Sequence, residues 1–177
     1  SSLYKYSYLL SDSLFKLLKV SFLDAVKLSD LNGRKPFAAL CGEPVGWAAE
    51  GLYLHNRPVF TADPLFHAGC YYVQEASSMF LGQVIRQFVS EPVRALDLCA
   101  APGGKTTQIA GRMAGEGFLL CNEILPKRAK ILSRNIERLG IANALVTNET
   151  PKNLTKHLSG YFHRVLIDAP CSGEGMF

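Results

Sequence analysis

The sequence predicts an α/β fold: a parallel sheet with helices on both faces, preceded by a small α+β region. Three observations lead there. From Val93 onward, short apolar runs alternate with segments of helical spacing. The run Arg164-Val-Leu-Ile-Asp168 is almost wholly apolar, as expected of a strand covered on both sides. Before residue 70 this regularity is missing, and Gly and Pro crowd the stretch from Asn32 to Pro64. The expected organisation is an N-terminal region over 1–70 and a core over 71–177.

Composition narrows the class further. In 177 residues, 19 Lys+Arg stand against 15 Asp+Glu, and 48% of residues are hydrophobic. That apolar fraction excludes a chain disordered throughout. Apolar runs are too short for a membrane helix, which needs about 18 uncharged residues. The opening Ser-Ser-Leu-Tyr-Lys has no basic-then-apolar pattern, so a cytoplasmic protein is expected. Cysteines at 41, 70, 99, 121 and 171 form no Cys-x-x-Cys, which argues against zinc and disulfides and fits a reducing compartment.

Along the chain, Leu14, Leu17, Leu18, Phe22 and Val26 predict a helix over 12–28. Turns and short strands such as Gly51-Leu-Tyr-Leu-His55 follow. Val73, Ala76, Met79, Val84 and Phe88 predict a helix over 71–89. Strand one is 93–99. A helix over 105–113 ends at Gly115 and Gly117, where glycine stops a helix readily. Strand two is 117–121. A helix over 126–139 is opened by Pro126 and closed by Gly140. Strand three (143–147), a short helix (154–158) and strand four (164–168) complete the pattern. A sheet ending there would leave an apolar edge bare, so further chain beyond Phe177 is expected.

The polar oddities sit at strand ends, where ligands bind in a doubly wound sheet. Strand one runs into Asp97-Leu-Cys-Ala-Ala-Pro-Gly-Gly-Lys-Thr106, whose glycines permit close backbone approach to a ligand. A phosphate-binding P-loop would need Gly at 99, which is Cys, and the nicotinamide fingerprint is absent. A methyl-donor site remains: a tight turn for the amino-acid end of S-adenosylmethionine, and an acid for its ribose. Glu123 follows strand two, 19 residues after Gly104, close to the ~20 expected of a ribose-binding acid. Asp168 ends strand four, and Pro170-Cys171 presents a thiol at the same edge. Cys beside Asp suits C5 methylation of a pyrimidine, in which a thiolate adds to C6 and makes C5 enamine-like.

Ala95-Leu-Asp-Leu-Cys-Ala-Ala-Pro-Gly-Gly-Lys-Thr106, Asp168-Ala-Pro-Cys-Ser-Gly-Glu-Gly-Met-Phe177 and Tyr71-Tyr-Val-Gln-Glu-Ala-Ser-Ser-Met79 closely resemble the Sun/Fmu family of RNA cytosine-5 methyltransferases. The resemblance covers about residues 45–177. Over 45–72 it is nearest the bacterial branch acting on small-subunit ribosomal RNA. It implies a Rossmann-like methyltransferase core, of which this chain holds the first four strands. It implies that Cys99, Ala100, Ala101, Pro102, Gly103, Gly104 and Lys105 wrap the methionine end of S-adenosylmethionine, and that Glu123 binds the ribose. Asp168 would lie between cofactor and target base, with Lys105 near the carboxylate or the base. Thr150 stands where the family has an acid near the adenine, with Glu149 adjacent. The family's nucleophile lies in a later Thr-Cys motif, and Cys171 would assist product release. If 1–177 were the whole protein, Cys171 would be the only candidate nucleophile.

The expected partner is RNA, ribosomal in the first place and transfer RNA as the alternative, with the protein monomeric and free of metal. Lys127, Lys130, Arg134 and Arg138 share one stripe of the 126–139 helix, opposite Ala129, Leu132, Ile136 and Leu139, and could follow RNA phosphates. Tyr4, Tyr6, Tyr8, Lys16 and Lys19 form an aromatic and basic mixture suited to unpaired RNA. Two other readings stand beside catalysis: an RNA-binding fragment that holds cofactor without turnover, and a P-loop hydrolase.

Overall fold

The computed structural model describes residues 24–28, 41–54, 58–89 and 92–169. These build two sheets. The first is antiparallel, in the order β2-β3-β1-β4, with β1 Asp24–Leu28, β2 Cys41–Val45, β3 Ala48–Leu54 and β4 Tyr71–Glu75. β2 and β3 form a hairpin that turns through Gly46-Trp47, and β1 lies between β3 and β4, pairing Val26 with both Leu52 and Val73. A short 3-10 turn (Phe60–Ala62) and helix α1 (Pro64–His67) lead into β4. Helices α2 (Ala76–Met79) and α3 (Leu81–Phe88) follow it.

The second sheet is parallel, in the order β7-β6-β5-β8: β5 Arg94–Asp97, β6 Phe118–Asn122, β7 Ala144–Thr147 and β8 Arg164–Leu166. Its crossovers are α4 (Gly104–Met113), α5 (Pro126–Arg138) and α6 (Pro151–Leu158). Both faces of the two central strands are covered. Ala95, Leu119 and Cys121 pack with Ile109, Met113, Leu132 and Ile136 on the α4–α5 side, and Leu96 and Leu120 pack with Leu154 on the α6 side. This alternation within β5 and β6 is why those strands read as continuous apolar runs.

Two helices expected from the sequence are corrected. Residues 24–28, the end of the helix expected over 12–28, form β1; the rest of that segment lies outside the described residues. The helix expected over 71–89 begins only at Ala76, because 71–75 pair along their whole length with β1. Short apolar runs satisfy both periods, and a sheet partner distant in sequence decides between them. The first sheet thus takes its last strand from residues beyond 70. At the other end, α6 starts at Pro151, with Thr150 as its cap. Among the described residues β8 is an edge strand, and Ile167 just beyond it is 63% exposed.

Candidate active site

Because all four strands of the second sheet are parallel, their carboxyl ends share one edge. The segment after β5 is tied to both neighbours there: Leu98 N donates to Leu166 O (3.0 Å) and Ala100 N to Asn122 O (2.8 Å). Asn122, buried at the end of β6, uses its whole amide. Its Nδ2 donates to Leu98 O (3.2 Å) and Glu149 O (3.0 Å), and its Oδ1 accepts from Thr147 Oγ1 and Glu149 N, both at 3.0 Å. One side chain therefore clamps the ends of β5, β6 and β7.

Asp97 closes β5 with 1% of its surface exposed and accepts from Thr106 Oγ1 at 2.7 Å. Burial pushes its carboxyl up to about 6, against the Thr106 hydroxyl, which favours the charged form. This bond spans the glycine turn from its first residue to the first turn of α4. Gly103 sits at φ +116°, a conformation that other residues rarely adopt. Both glycines of the turn direct their bare sides at protein. A Cβ on Gly103 would meet Leu132 at 3.3 Å, and one on Gly104 would meet Gln74 at 3.2 Å and Tyr72 at 3.3 Å. The turn is thus moulded to its neighbours in the fold, beyond any close approach to a ligand.

Glu123, 3% exposed, lies just past β6. Its Oε1 accepts from Leu125 N (2.9 Å), and its Oε2 lies 3.5 Å from Arg128 Nη1. Arg128 also donates through Nη2 to Ala101 O (2.5 Å), so one guanidinium joins the acid to the glycine turn. Asn148 Nδ2 donates to the carbonyls of Glu123 (2.6 Å) and Ile124 (2.9 Å) and fixes this corner. Across the mouth, Lys105 Nζ forms a direct ion pair with Asp168 Oδ2.

A cavity of about 310 Å³ opens between these groups. Cys99, Ala101, Glu123, Arg128 and Asp168 give it a polar side, and Leu98, Ile124, Leu125 and Pro151 an apolar one. Such a mixture fits a nucleoside with a charged tail. The Cys99 thiol is pushed up by burial and by the nearby carboxyls of Asp97, Glu123 and Asp168, so it is neutral and a poor nucleophile. Cys121, sealed in the core, is pushed up by burial as well.

Of the residues picked out by sequence, Cys99, Ala101, Glu123 and Asp168 meet in this cavity, and Lys105 joins them through Asp168. Ala100 is buried behind the turn, and Pro102 is exposed outside it, its carbonyl accepting from Asn135 Nδ2 (2.8 Å). Thr150 does not line the cavity; its hydroxyl accepts from Asn153 N (3.2 Å) and caps α6. Glu149 is held by Asn153 Nδ2 (3.0 Å). Cys171 lies outside the described residues. On α5, Lys127, Lys130 and Arg134 are exposed, but Arg138 leaves the stripe. It donates to Phe66 O (2.7 Å) and Tyr71 O (3.2 Å) and lies over the Phe66 ring, 4.2 Å from its centroid. Sequence reading missed Arg128. Its signal was its place: a basic residue in the first turn of α5, off the 127/130/134/138 stripe and five residues after Glu123.

Among the described residues, no helix is long and apolar enough to cross a membrane, and no group of His, Cys, Asp and Glu is placed to hold a metal ion. Residues 89–177 match the family model of the 16S rRNA methyltransferase RsmB/F, and residues 6–76 match the N-terminal domain of 16S rRNA methyltransferase RsmF. The ribosomal RNA small subunit methyltransferase F of Pectobacterium atrosepticum is 41% identical over 138 residues, which cover 76% of this chain and 28% of that protein. The chain therefore spans under a third of the length of such relatives. A methyltransferase homologue from Pyrococcus horikoshii has a similar structure, with a TM-score of 0.72 and 28% identity over 86% of this chain and 52% of that one. The protein PH0851, at 22% identity and a TM-score of 0.76 over 94% of this chain and 40% of that one, shares the fold.

Proposed function

Matched over residues 89–177, this chain belongs to the RsmB/F family of 16S rRNA methyltransferases, and on that premise we propose that the full-length protein methylates C5 of a cytosine in small-subunit ribosomal RNA, with S-adenosylmethionine as donor. The observation that carries this reading is the meeting of four charged groups at one strand-end cavity: buried Glu123, held by Arg128, and Asp168 opposite them, paired with Lys105. The donor set fits S-adenosylmethionine, which when bound supplies an electrophilic methyl group. Glu123 accepts from the ribose hydroxyls, and Arg128 keeps its carboxylate aimed at them. The apolar wall of Leu98, Ile124, Leu125 and Pro151 takes the flat adenine. The turn from Cys99 to Lys105 receives the methionine end. Thr150 acts beside the adenine by capping α6, which holds Pro151 and Glu149 in place.

Asp168 and Lys105 face the target base. With the cofactor bound, a thiolate would add to C6 of cytosine, C5 would take the methyl group as its bond to the sulfonium breaks and S-adenosylhomocysteine is left, and loss of the C5 proton to a base and then of the thiolate would restore the ring. The neutral thiols of Cys99 and Cys121 do not suit the first step; by resemblance the attacking cysteine belongs to a later motif, and Cys171 assists release. The target cytosine is unpaired or flipped, because C5 and C6 must meet two reactants at once. We assign RNA contact to residues 1–70 and to Lys127, Lys130 and Arg134, methyl transfer to 71–177, and place the reaction in the cytoplasm.

Calorimetric titration with S-adenosylhomocysteine, with ATP as control, tests the cofactor site: saturable binding of the first alone is expected, and binding of ATP alone would restore the P-loop reading. Transfer of labelled methyl to unmethylated 16S rRNA tests the activity. Asp168→Ala is expected to abolish transfer with the fold intact, and retained transfer would remove Asp168 from the mechanism. Cofactor binding with no transfer by the full-length protein would favour the non-catalytic RNA-binding reading.

A further inference from the structure

The first residues of α4 do two jobs. Lys105 reaches the Asp168 carboxylate, while Gly104 lies flush against β4 of the other sheet, between Tyr72 and Gln74. One turn further along, Gln108 is 4% exposed and fastens that contact. Its Nε2 donates to Gln74 Oε1 (3.2 Å) and Ser78 O (3.0 Å), with Gly104 O at 3.4 Å. The arrangement is costly. Among the described residues Gln74 Nε2 is buried without a hydrogen-bond partner, a penalty that an apolar side chain of similar length would avoid. Packing alone does not account for an amide here. What the amide supplies is a directed acceptor for Gln108, which sets the rotation and height of the first turn of α4 against β4.

We infer that Gln74, acting with Gln108, is a positioning residue for Lys105: the amide pair clamps α4 to the N-terminal sheet and so sets where the Lys105 ammonium meets Asp168. The inference rests on the methyl-transfer reading for its kinetic consequence but not for its geometry. It makes the N-terminal sheet a wall of the catalytic apparatus as well as a region assigned to RNA contact.

Gln74→Met conserves volume and removes both ends of the amide. In the full-length protein it is expected to lower kcat for methyl transfer roughly tenfold or more, since small misplacements at a reacting centre are expensive. KM for RNA should barely move, and the thermal midpoint should not fall, because removal of the unpaired amide nitrogen offsets the hydrogen bond lost from Gln108. In a Lys105→Met background the same substitution should have no further effect, because the two act through one group. Equal losses in both backgrounds, or a loss confined to thermal stability, would overturn the proposal. A second measurement needs no turnover. The Lys105 Cε resonance, from selectively labelled lysine, is compared among wild type, Asp168→Asn and Gln74→Met. Movement of the Gln74→Met resonance toward the Asp168→Asn value supports the clamp, and coincidence with wild type refutes it. Should wild type transfer no methyl group, the functional reading fails on its own and the resonance still decides the clamp.

Discussion

Asp97 is a buried carboxylate with one hydroxyl donor at 2.7 Å, and its charged form is disfavoured. In the unfolded chain it titrates near 3.8; in the fold it holds its proton to about 6. Between those values the native state binds more protons than the unfolded state, so this group lowers stability as pH rises through that window, and the loss is complete above it. The shift corresponds to about 3 kcal/mol. Asp97→Asn keeps an acceptor for Thr106 and removes the ionisation. It should match wild type in urea unfolding at acid pH and exceed it by about 2–3 kcal/mol at pH 7.5; a parallel pH dependence in the two proteins would assign the titration elsewhere. Arg128→Met leaves Glu123 buried without its cation and frees Ala101 O. Affinity for S-adenosylhomocysteine should fall roughly tenfold, a modest loss because the guanidinium is partly solvated; unchanged affinity would make Arg128 a surface residue. Glu123 was legible from its spacing after the glycine turn and Asp168 as the charge that ends an apolar strand, while Lys105 entered through the family resemblance. Arg138 and Thr150 were not legible. Helical periodicity assigns a residue to a stripe but does not say what covers it, and only the fold brings Phe66 and Tyr71 over Arg138.

At the scale of elements, the parallel sheet was readable, and of the antiparallel one only the strand beginning at Gly51, which falls within β3, was. β5, β6 and β8 are bounded by Gly, Pro or Asp and are close neighbours of the helices that cover them, so local pattern carries the information. β1 acquires its identity from Leu52 and Val73, which pair with Val26 from far along the chain. β4 carries two tyrosines and a valine that fit either period, and pairing decides for strand. The helix covering β6 shows how firmly a legible element is held. Leu132 of α5 is fully buried against the sheet and touches the site of the Gly103 turn. Leu132→Ala should cost about 2–5 kcal/mol in unfolding free energy. Because the cavity it leaves adjoins Gly103, affinity for S-adenosylhomocysteine should fall as well. A stability loss with affinity unchanged would show that the glycine turn is held by Asp97–Thr106 and Arg128 without help from α5.

Across the whole molecule, a net charge of +4 is too small to draw RNA by itself, so placement decides. The exposed cations of α5 are Lys127, Lys130 and Arg134, since Arg128 faces Glu123 and Arg138 binds the segment from Phe66 to Tyr71. Among the described residues the helix therefore presents three exposed cations along one face, while its two remaining arginines hold the Glu123 corner and the seam between the sheets. Each phosphate contact contributes roughly 0.7–0.9 to the slope of log affinity against log salt. Replacing Lys127, Lys130 and Arg134 together by Ala should reduce that slope for 16S rRNA fragments by about 2, with S-adenosylhomocysteine binding unchanged. Arg138→Met should leave the slope alone and lower the thermal midpoint, because the Phe66 and Tyr71 carbonyls lose the hydrogen bonds that the guanidinium donates. If both variants changed the slope equally, Arg138 would have to leave the seam when RNA binds, and the two sheets would move apart in the complex. If neither did, RNA would approach from the face opposite α5, and the burden of contact would fall on residues 1–70.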